Sequence, residues 1–259
     1  MRIPLEDDFT DILGKAQRGL RLTTVSLPKN ADDEVALRKL ATALRLDPDA
    51  LVASAKKAWY PRDLGPIDGL ACFNTPYSDM TVNSYLMFDP QTKHAAAFDT
   101  GTDCDGMLQL ATKRGLTIDL ILLTHSHGDH IFDLDRLKAK TKARAISCEL
   151  EPVGGTETFA PGRQFEIGNL KAETRLTNGH SRGGITYVVT GLSRRLAIVG
   201  DAMFAGSMGG GMVSYDDALR TNREQILTLP DDTVICPGHG PLTTVGEEKR
   251  HNPFFASRV

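Results

Sequence analysis

The stretch Thr117-Ile-Asp-Leu-Ile-Leu-Leu-Thr-His-Ser-His-Gly-Asp-His130 decides how the rest of the chain reads. Its first half belongs to a nearly continuous apolar run from Leu116 to Thr124, the mark of a strand covered on both faces. Its second half is polar and crowded with imidazole and carboxylate. A loop at the carboxyl end of a buried strand is where open α/β sheets place their sites. Imidazoles two residues apart on an extended loop can reach one ion from the same side, and an Asp and a His a step further on can turn toward a second. Gly128 is expected to allow the tight backbone that such crowding asks for.

Working outward, Asp105 to Arg114 and His130 to Lys142 have helical composition and flank the strand, which gives a βαβα rhythm. Upstream, Thr81 to Phe88 and Ala95 to Gly101 read as strands. Downstream, strands are expected at 143–147, 170–175, 185–190, 195–199 and 233–236, with a helix at 215–228. Before residue 65 the periodicity is helical, at Phe9 to Leu20 and in two short helices within 31–58 that are broken at Asp47-Pro48-Asp49, where proline suits a first helical turn behind an Asp cap. The chain therefore divides into a small helical N-terminal segment, 1–65, and an α/β domain, 66–259.

The bulk properties narrow the function. Of 259 residues, 41% are hydrophobic and 24% charged, with a formal net charge of -3, as in ordinary globular proteins. That balance provides no general attraction for nucleic acid or an anionic membrane. The helices near Ala41 to Leu51 lack a basic recognition helix, and DNA binding is not expected of them. The acidic start, Glu6-Asp7-Asp8, is unlike a signal peptide, and no apolar run is long enough to span a bilayer, so the reading is cytoplasmic. The four cysteines, Cys72, Cys104, Cys148 and Cys236, form no CxxC pair and are expected to be reduced.

One HxHxDH run leaves two ions under-coordinated, and further ligands are at hand. They are His180 in Asn178-Gly-His-Ser-Arg-Gly-Gly, Asp201 in Val199-Gly-Asp-Ala and His239 in Pro237-Gly-His-Gly. Each follows an expected strand and sits beside glycines that let backbone approach a site. Five of the seven histidines fall into this set, and only His94 and His251 lie outside it.

These residues in this order, with Asp99 at the end of an earlier strand, resemble the five motifs of the metallo-β-lactamase superfamily, from about residue 72 onward. The tail from Cys236 and the segment Gly200-Asp-Ala-Met-Phe-Ala-Gly-Ser look like the glyoxalase II-like (hydroxyacylglutathione hydrolase-like) branch. The resemblance implies an αββα sandwich carrying the small N-terminal helical segment. It implies that His125, His127 and His180 hold one metal, that Asp129, His130 and His239 hold the other, and that Asp201 bridges them. Asp129 would also handle a proton, and Asp99 would orient a ligand from behind. The cofactors implied are two divalent metal ions, zinc first, with iron able to take one or both positions. Ions so placed bring a shared water toward neutral pKa and polarise a carbonyl, so a small thioester, ester or lactone is the expected substrate.

Departures from the family pattern bear on the substrate. Arg182 and Gly183 stand where relatives often have Thr-Pro-Gly, which places a cation where an anionic small-molecule substrate would benefit. The run Gly209-Gly-Gly211 is expected to be a mobile loop over the site or a flexible connector. The chain lacks the helical region that follows the core in glyoxalase II proper, which weakens the expectation of glutathione. A homo-oligomer is compatible with all of this. Two other functions fit the same motifs. One is a mononuclear iron persulfide dioxygenase using His125, His180 and Asp201. The other is a metabolite-sensing binding protein whose N-terminal helices recruit a partner.

Overall fold

The structure is a computed structural model that describes residues 3–23 and 32–256. The two first residues, the start of the second helical region at residue 31 and the last three residues lie outside them.

Three helices open the chain: α1 (Phe9–Gly19), α2 (Glu34–Ala43) and α3 (Pro48–Ala55). Their boundaries follow from caps. Asp8 accepts from the amides of Thr10 and Asp11 while the Asp11 side chain takes the Asp8 amide, a reciprocal cap on α1. Asp47 accepts from the Ala50 amide at 2.7 Å, with Pro48 in the first turn of α3, as the sequence pattern predicts.

Two six-stranded sheets follow. The first contains β1 (Leu70–Tyr77), β2 (Met80–Phe88), β3 (His94–Phe98), β4 (Thr117–Leu122), β5 (Arg144–Cys148) and β6 (Glu157–Phe159) in that spatial order. Helices α4 (Asp105–Arg114), α5 (Gly128–Ile131) and α6 (Leu134–Thr141) connect its parallel part from β3 to β5. The second sheet contains β7 (Gln164–Ile167), β8 (Leu170–Leu176), β9 (Ile185–Thr190), β10 (Leu196–Gly200), β11 (Val234–Pro237) and β12 (Thr243–Thr244), in the order β12-β11-β10-β9-β8-β7. Helix α7 (Tyr215–Thr221) runs into a π-helical turn, Asn222–Ile226, and α8 (Val245–His251) closes the described chain.

Alternation along the strands assembles these parts into layers. Ala96 and Phe98, Leu120 and Leu122, Leu196 and Ile198 share one buried cluster between the sheets. Their neighbours Ala95 and Ala97, Ile121 and Leu123 face the other way, onto Met107 and Ala111 of α4 and Leu134 and Leu137 of α6. Ala197 and Val199 of β10 pack on a third cluster that takes in Ile12, Leu13, Ala41, Leu44, Leu51 and Phe254. The result is the expected αββα sandwich, each buried Leu or Ile contributing about 1.5–3 kcal/mol relative to exposure. The N-terminal helices thus share most of their apolar residues with the outer face of the second sheet, while Leu37, Val52 and Ala55 form a small cluster of their own.

Two details differ from the sequence reading. The segment expected as one helix from His130 is two, α5 and α6, and α5 begins inside the motif at Gly128. Strands β1, β6, β7 and β12 were not foreseen, being edge or short strands with weak patterning. No helix among the described residues is long and apolar enough to cross a membrane.

Candidate metal centre

The site lies where the two sheets present the carboxyl ends of their parallel strands. β4 delivers His125 and His127, β10 delivers Asp201, and β11, parallel to β10, delivers His239. The loop after β8 carries His180. The single turn of α5 swings Asp129 and His130 away from His125 and His127, so one short motif serves two positions.

The donor atoms fall into two groups. His125, His127, His180 and Asp201 present one ligand atom each within 4.8 Å of one another, and Asp129, His130 and His239 do the same beside them. In the first group the Nδ1 of His127 is 3.0 Å from the Nε2 of both His125 and His180. In the second, Asp129 Oδ2 is 3.2 Å from His239 Nε2 and 3.5 Å from His130 Nε2. Asp201 joins them: its Oδ2 is 3.4 Å from both His180 Nε2 and His239 Nε2, and its Oδ1 is 3.2 Å from His130 Nε2.

Outer hydrogen bonds fix which ring nitrogen faces inward. His180 Nδ1 donates to the Gly210 carbonyl at 3.0 Å, and His239 Nδ1 to the Thr81 carbonyl at 2.7 Å. His130 Nδ1 donates to Asp99 Oδ2 at 2.7 Å. The Thr124 hydroxyl gives its proton to the same Oδ2 at 2.7 Å and so accepts from His125 Nδ1 at 3.0 Å. Asp99 also takes the Thr124 amide at 2.8 Å. One carboxylate therefore orients an imidazole in each group. It does so from a left-handed backbone, φ 56°, that Asp tolerates better than most residues.

The donor set fits metal ions. With their Nδ1 protons committed outward, His125 and His180 aim lone pairs at His127 Nδ1 across 3.0 Å, close to the spacing of about 3.3 Å expected around one tetrahedral zinc. His130 Nε2 and Asp201 Oδ1 are buried and make no hydrogen bond despite their proximity. Such a set is repulsive unless cations or protons stand between its members.

Electrostatics separate the groups. Burial, reinforced by the charge of His130, lowers His125 well below the usual imidazole value, and burial likewise lowers His180 against the pull of Asp201. Burial opposes protonation of His130 and His239 as well, but the Asp201 charge outweighs it there and takes them up to about 10 and about 11. Asp201 in turn is held well below the carboxylate range, its burial overcome by those two imidazoles.

The sequence missed some supporting residues. Glu151 accepts from the Ser126 amide at 2.9 Å and the Gly183 amide at 2.7 Å, tying the His125–His127 loop to the His180 loop. In the sequence it is an ordinary acidic residue after β5, with nothing to mark it. Gly128 does not need unusual backbone freedom; a side chain there would press on the Tyr77 hydroxyl at 3.2 Å. Gly238 is needed because a Cβ would lie 2.1 Å from Asp201 Oδ1 and 2.6 Å from His130 Cε1. In the run 209–211, a Cβ on Gly209 would meet the Asp201 carbonyl at 1.9 Å, and the Gly210 carbonyl holds His180. Arg182 is exposed, with no ion pair among the described residues.

A sequence profile of the metallo-beta-lactamase superfamily matches residues 78–239. The chain belongs to that superfamily. A "probable metallo-hydrolase" of Bacillus subtilis is 32% identical over 206 residues, covering 70% of this chain and 95% of its own length. A hydroxyacylglutathione hydrolase of Haemophilus influenzae is 27% identical, covering 71% of this chain and 97% of its own. Among solved structures, ETHE1 from Myxococcus xanthus superposes with a TM-score of 0.64 at 26% identity, over 73% of this chain and 86% of that one. As a member of this superfamily the chain is a metallo-hydrolase-type protein with clustered His and Asp donors for divalent metal.

Proposed function

We propose that the protein is a dinuclear metal-dependent hydrolase of small thioesters, or of related esters and lactones, on the glyoxalase II-like side of the superfamily. The observation that carries this reading is the position of Asp201, whose Oδ2 is 3.4 Å from an imidazole of each donor group. A carboxylate so placed could serve two ions at once, with His125, His127 and His180 available to hold one and Asp129, His130 and His239 the other. Divalent ions held there would supply Lewis-acid chemistry, activating water and polarising a carbonyl.

The chain's own residues supply the rest. Asp129 is the carboxylate at the second group able to take a proton or pass it toward a leaving group. A thiolate leaves with little protonation, which suits a site whose other ionisable groups are committed to ligation. Asp99 touches no reacting atom; it is a positioning residue for His125 and His130. The 27% identity to a hydroxyacylglutathione hydrolase supports the thioester class. A mononuclear iron oxidoreductase would employ His125, His180 and Asp201 and leave the second, fully built group without a task.

The test is a panel of thioesters and lactones offered to protein loaded with zinc and, separately, with iron. Chelator-sensitive thioester or lactone hydrolysis is expected. Oxygen consumption on a persulfide by protein holding one iron, with no hydrolysis by the zinc form, would overturn the proposal.

A further inference from the structure

The N-terminal helices lie outside the matched superfamily region, yet α1 packs on residues that support the metal centre. Between the C-terminal turn of α1 and the loop leading to α7 is a groove of about 490 Å³. Lys15, Arg18 and Arg21 line one wall and Met212 and Tyr215 the other, with no carboxylate among the lining residues. Close packing fixes its shape: a Cβ on Gly19 would lie 2.3 Å from the Tyr215 ring, and one on Gly211 2.4 Å from the Tyr215 Cα.

The groove adjoins the ligands by two routes. Its floor includes Gly210, whose carbonyl holds His180 Nδ1. Lys15 Nζ sits 5.0 Å over the Phe204 ring, and that ring meets His239 edge-on at 5.6 Å. Lys15 is neutralised by Asp7 and donates to the Met208 carbonyl at 2.9 Å. Arg18 and Arg21 are exposed and have no carboxylate within 4.0 Å among the described residues. Two guanidinium groups without a carboxylate partner among the described residues thus face a groove lined by Gly210, whose carbonyl holds His180.

We propose that this groove binds the anionic end of the substrate, a carboxylate or phosphate gripped by Arg18 and Arg21, while the scissile carbonyl lies at the metal centre. This rests on the hydrolase reading above. Guanidinium forks match planar anionic oxygens in pairs. Met212 and Tyr215 provide adaptable apolar contact for the carbon chain that joins the anion to the carbonyl. The N-terminal helices then act as a specificity element that this chain adds to the superfamily core.

The experiment compares three probes: S-valeryl-N-acetylcysteamine, which is neutral; S-glutaryl-N-acetylcysteamine, anionic on the acyl side; and the S-valeryl thioester of 3-mercaptopropionate, anionic on the leaving side. The zinc enzyme is expected to prefer one anionic probe, identifying which end enters the groove. R18E/R21E should cut that preference about 10-fold, through KM, with zinc content retained. The milder R18Q/R21Q should give a smaller change of the same sign, which guards against a folding defect in the reversal. Equal treatment of all probes by the native enzyme, or a preference that survives both variants, overturns the groove assignment. If the native enzyme hydrolyses none of them, the thioester reading fails on its own account. The non-hydrolysable thioether of the glutaryl probe then tests the groove by calorimetry: weaker binding to R18E/R21E supports it, and equal binding overturns it.

Discussion

The two halves of the metal centre are built from the same residue types and prepared differently. His125, His127 and His180 stand together with little anionic charge except Asp201, and the burial that lowers His125 and His180 keeps them neutral, with lone pairs ready. His130 and His239 face Asp201 and Asp129 at close range and hold protons up to about pH 10 and about pH 11 when no metal is bound. The contrast is one of carboxylate placement: in the second half the acids are balanced by protons, in the first His125 and His180 have none to give up. Loading the second half is a proton-for-metal exchange, whereas His125 and His180 in the first take metal without one.

Removing the shared carboxylate should have the largest effect. Asp201→Asn takes a charge from both halves at once and is expected to reduce hydrolysis about a thousandfold, or about 4 kcal/mol of barrier, with loss of metal seen by elemental analysis. Gly238 packs against that side chain, so the isosteric amide is the variant that spares the packing.

Next in size is the pH dependence of loading. Because the raised values of His130 and His239 lie above neutrality, both protons must leave throughout the range from pH 8 down to pH 6. Affinity for the second ion should therefore fall as pH falls, by about 100-fold per unit, while the first ion, bound in part by His125 and His180 with their lowered values, should show a flatter dependence. Calorimetry in buffers of different ionisation enthalpy should register about two protons released with the second ion and few with the first.

Asp99→Asn should weaken metal binding by about 10- to 100-fold, chiefly in the second half. An amide nitrogen facing His130 Nδ1 makes that nitrogen an acceptor and places the proton on the metal-facing Nε2. Asn accepts the left-handed backbone at this position, so the melting temperature should change little. The smallest effect belongs to Glu151→Gln, which loosens the tie between Ser126 and Gly183. A loss of several-fold, on the order of 1 kcal/mol, is expected in affinity for the first ion only. Equal damage to both halves by Asp99→Asn and Glu151→Gln would break the comparison.

The legibility of this site follows the same physics. Candidate ligands are dense in chemistry, and seven of them stood out as HxHxDH, His180, Asp201 and His239, each behind a strand; the structure brings all seven together. Core strands such as β4, β9 and β10 were legible because burial on both faces keeps most of their residues apolar. Edge strands such as β6 and β7 were not, since half their residues face solvent and any polar residue serves. Glu151 was invisible because it acts by bonding backbone amides, which have no sequence signature. The 209–211 glycines were visible, but the packing of Gly209 against Asp201 and His180 was not, because those contacts exist only once the chain has folded.

The central claim is a centre for two ions sharing one carboxylate, and native mass spectrometry of zinc-titrated protein tests it most directly. Two zinc ions per chain are predicted at saturation near pH 8, falling to one in His239→Ala with the fold intact. Saturation at a single ion in the native protein, with all seven donors present, would contradict the account.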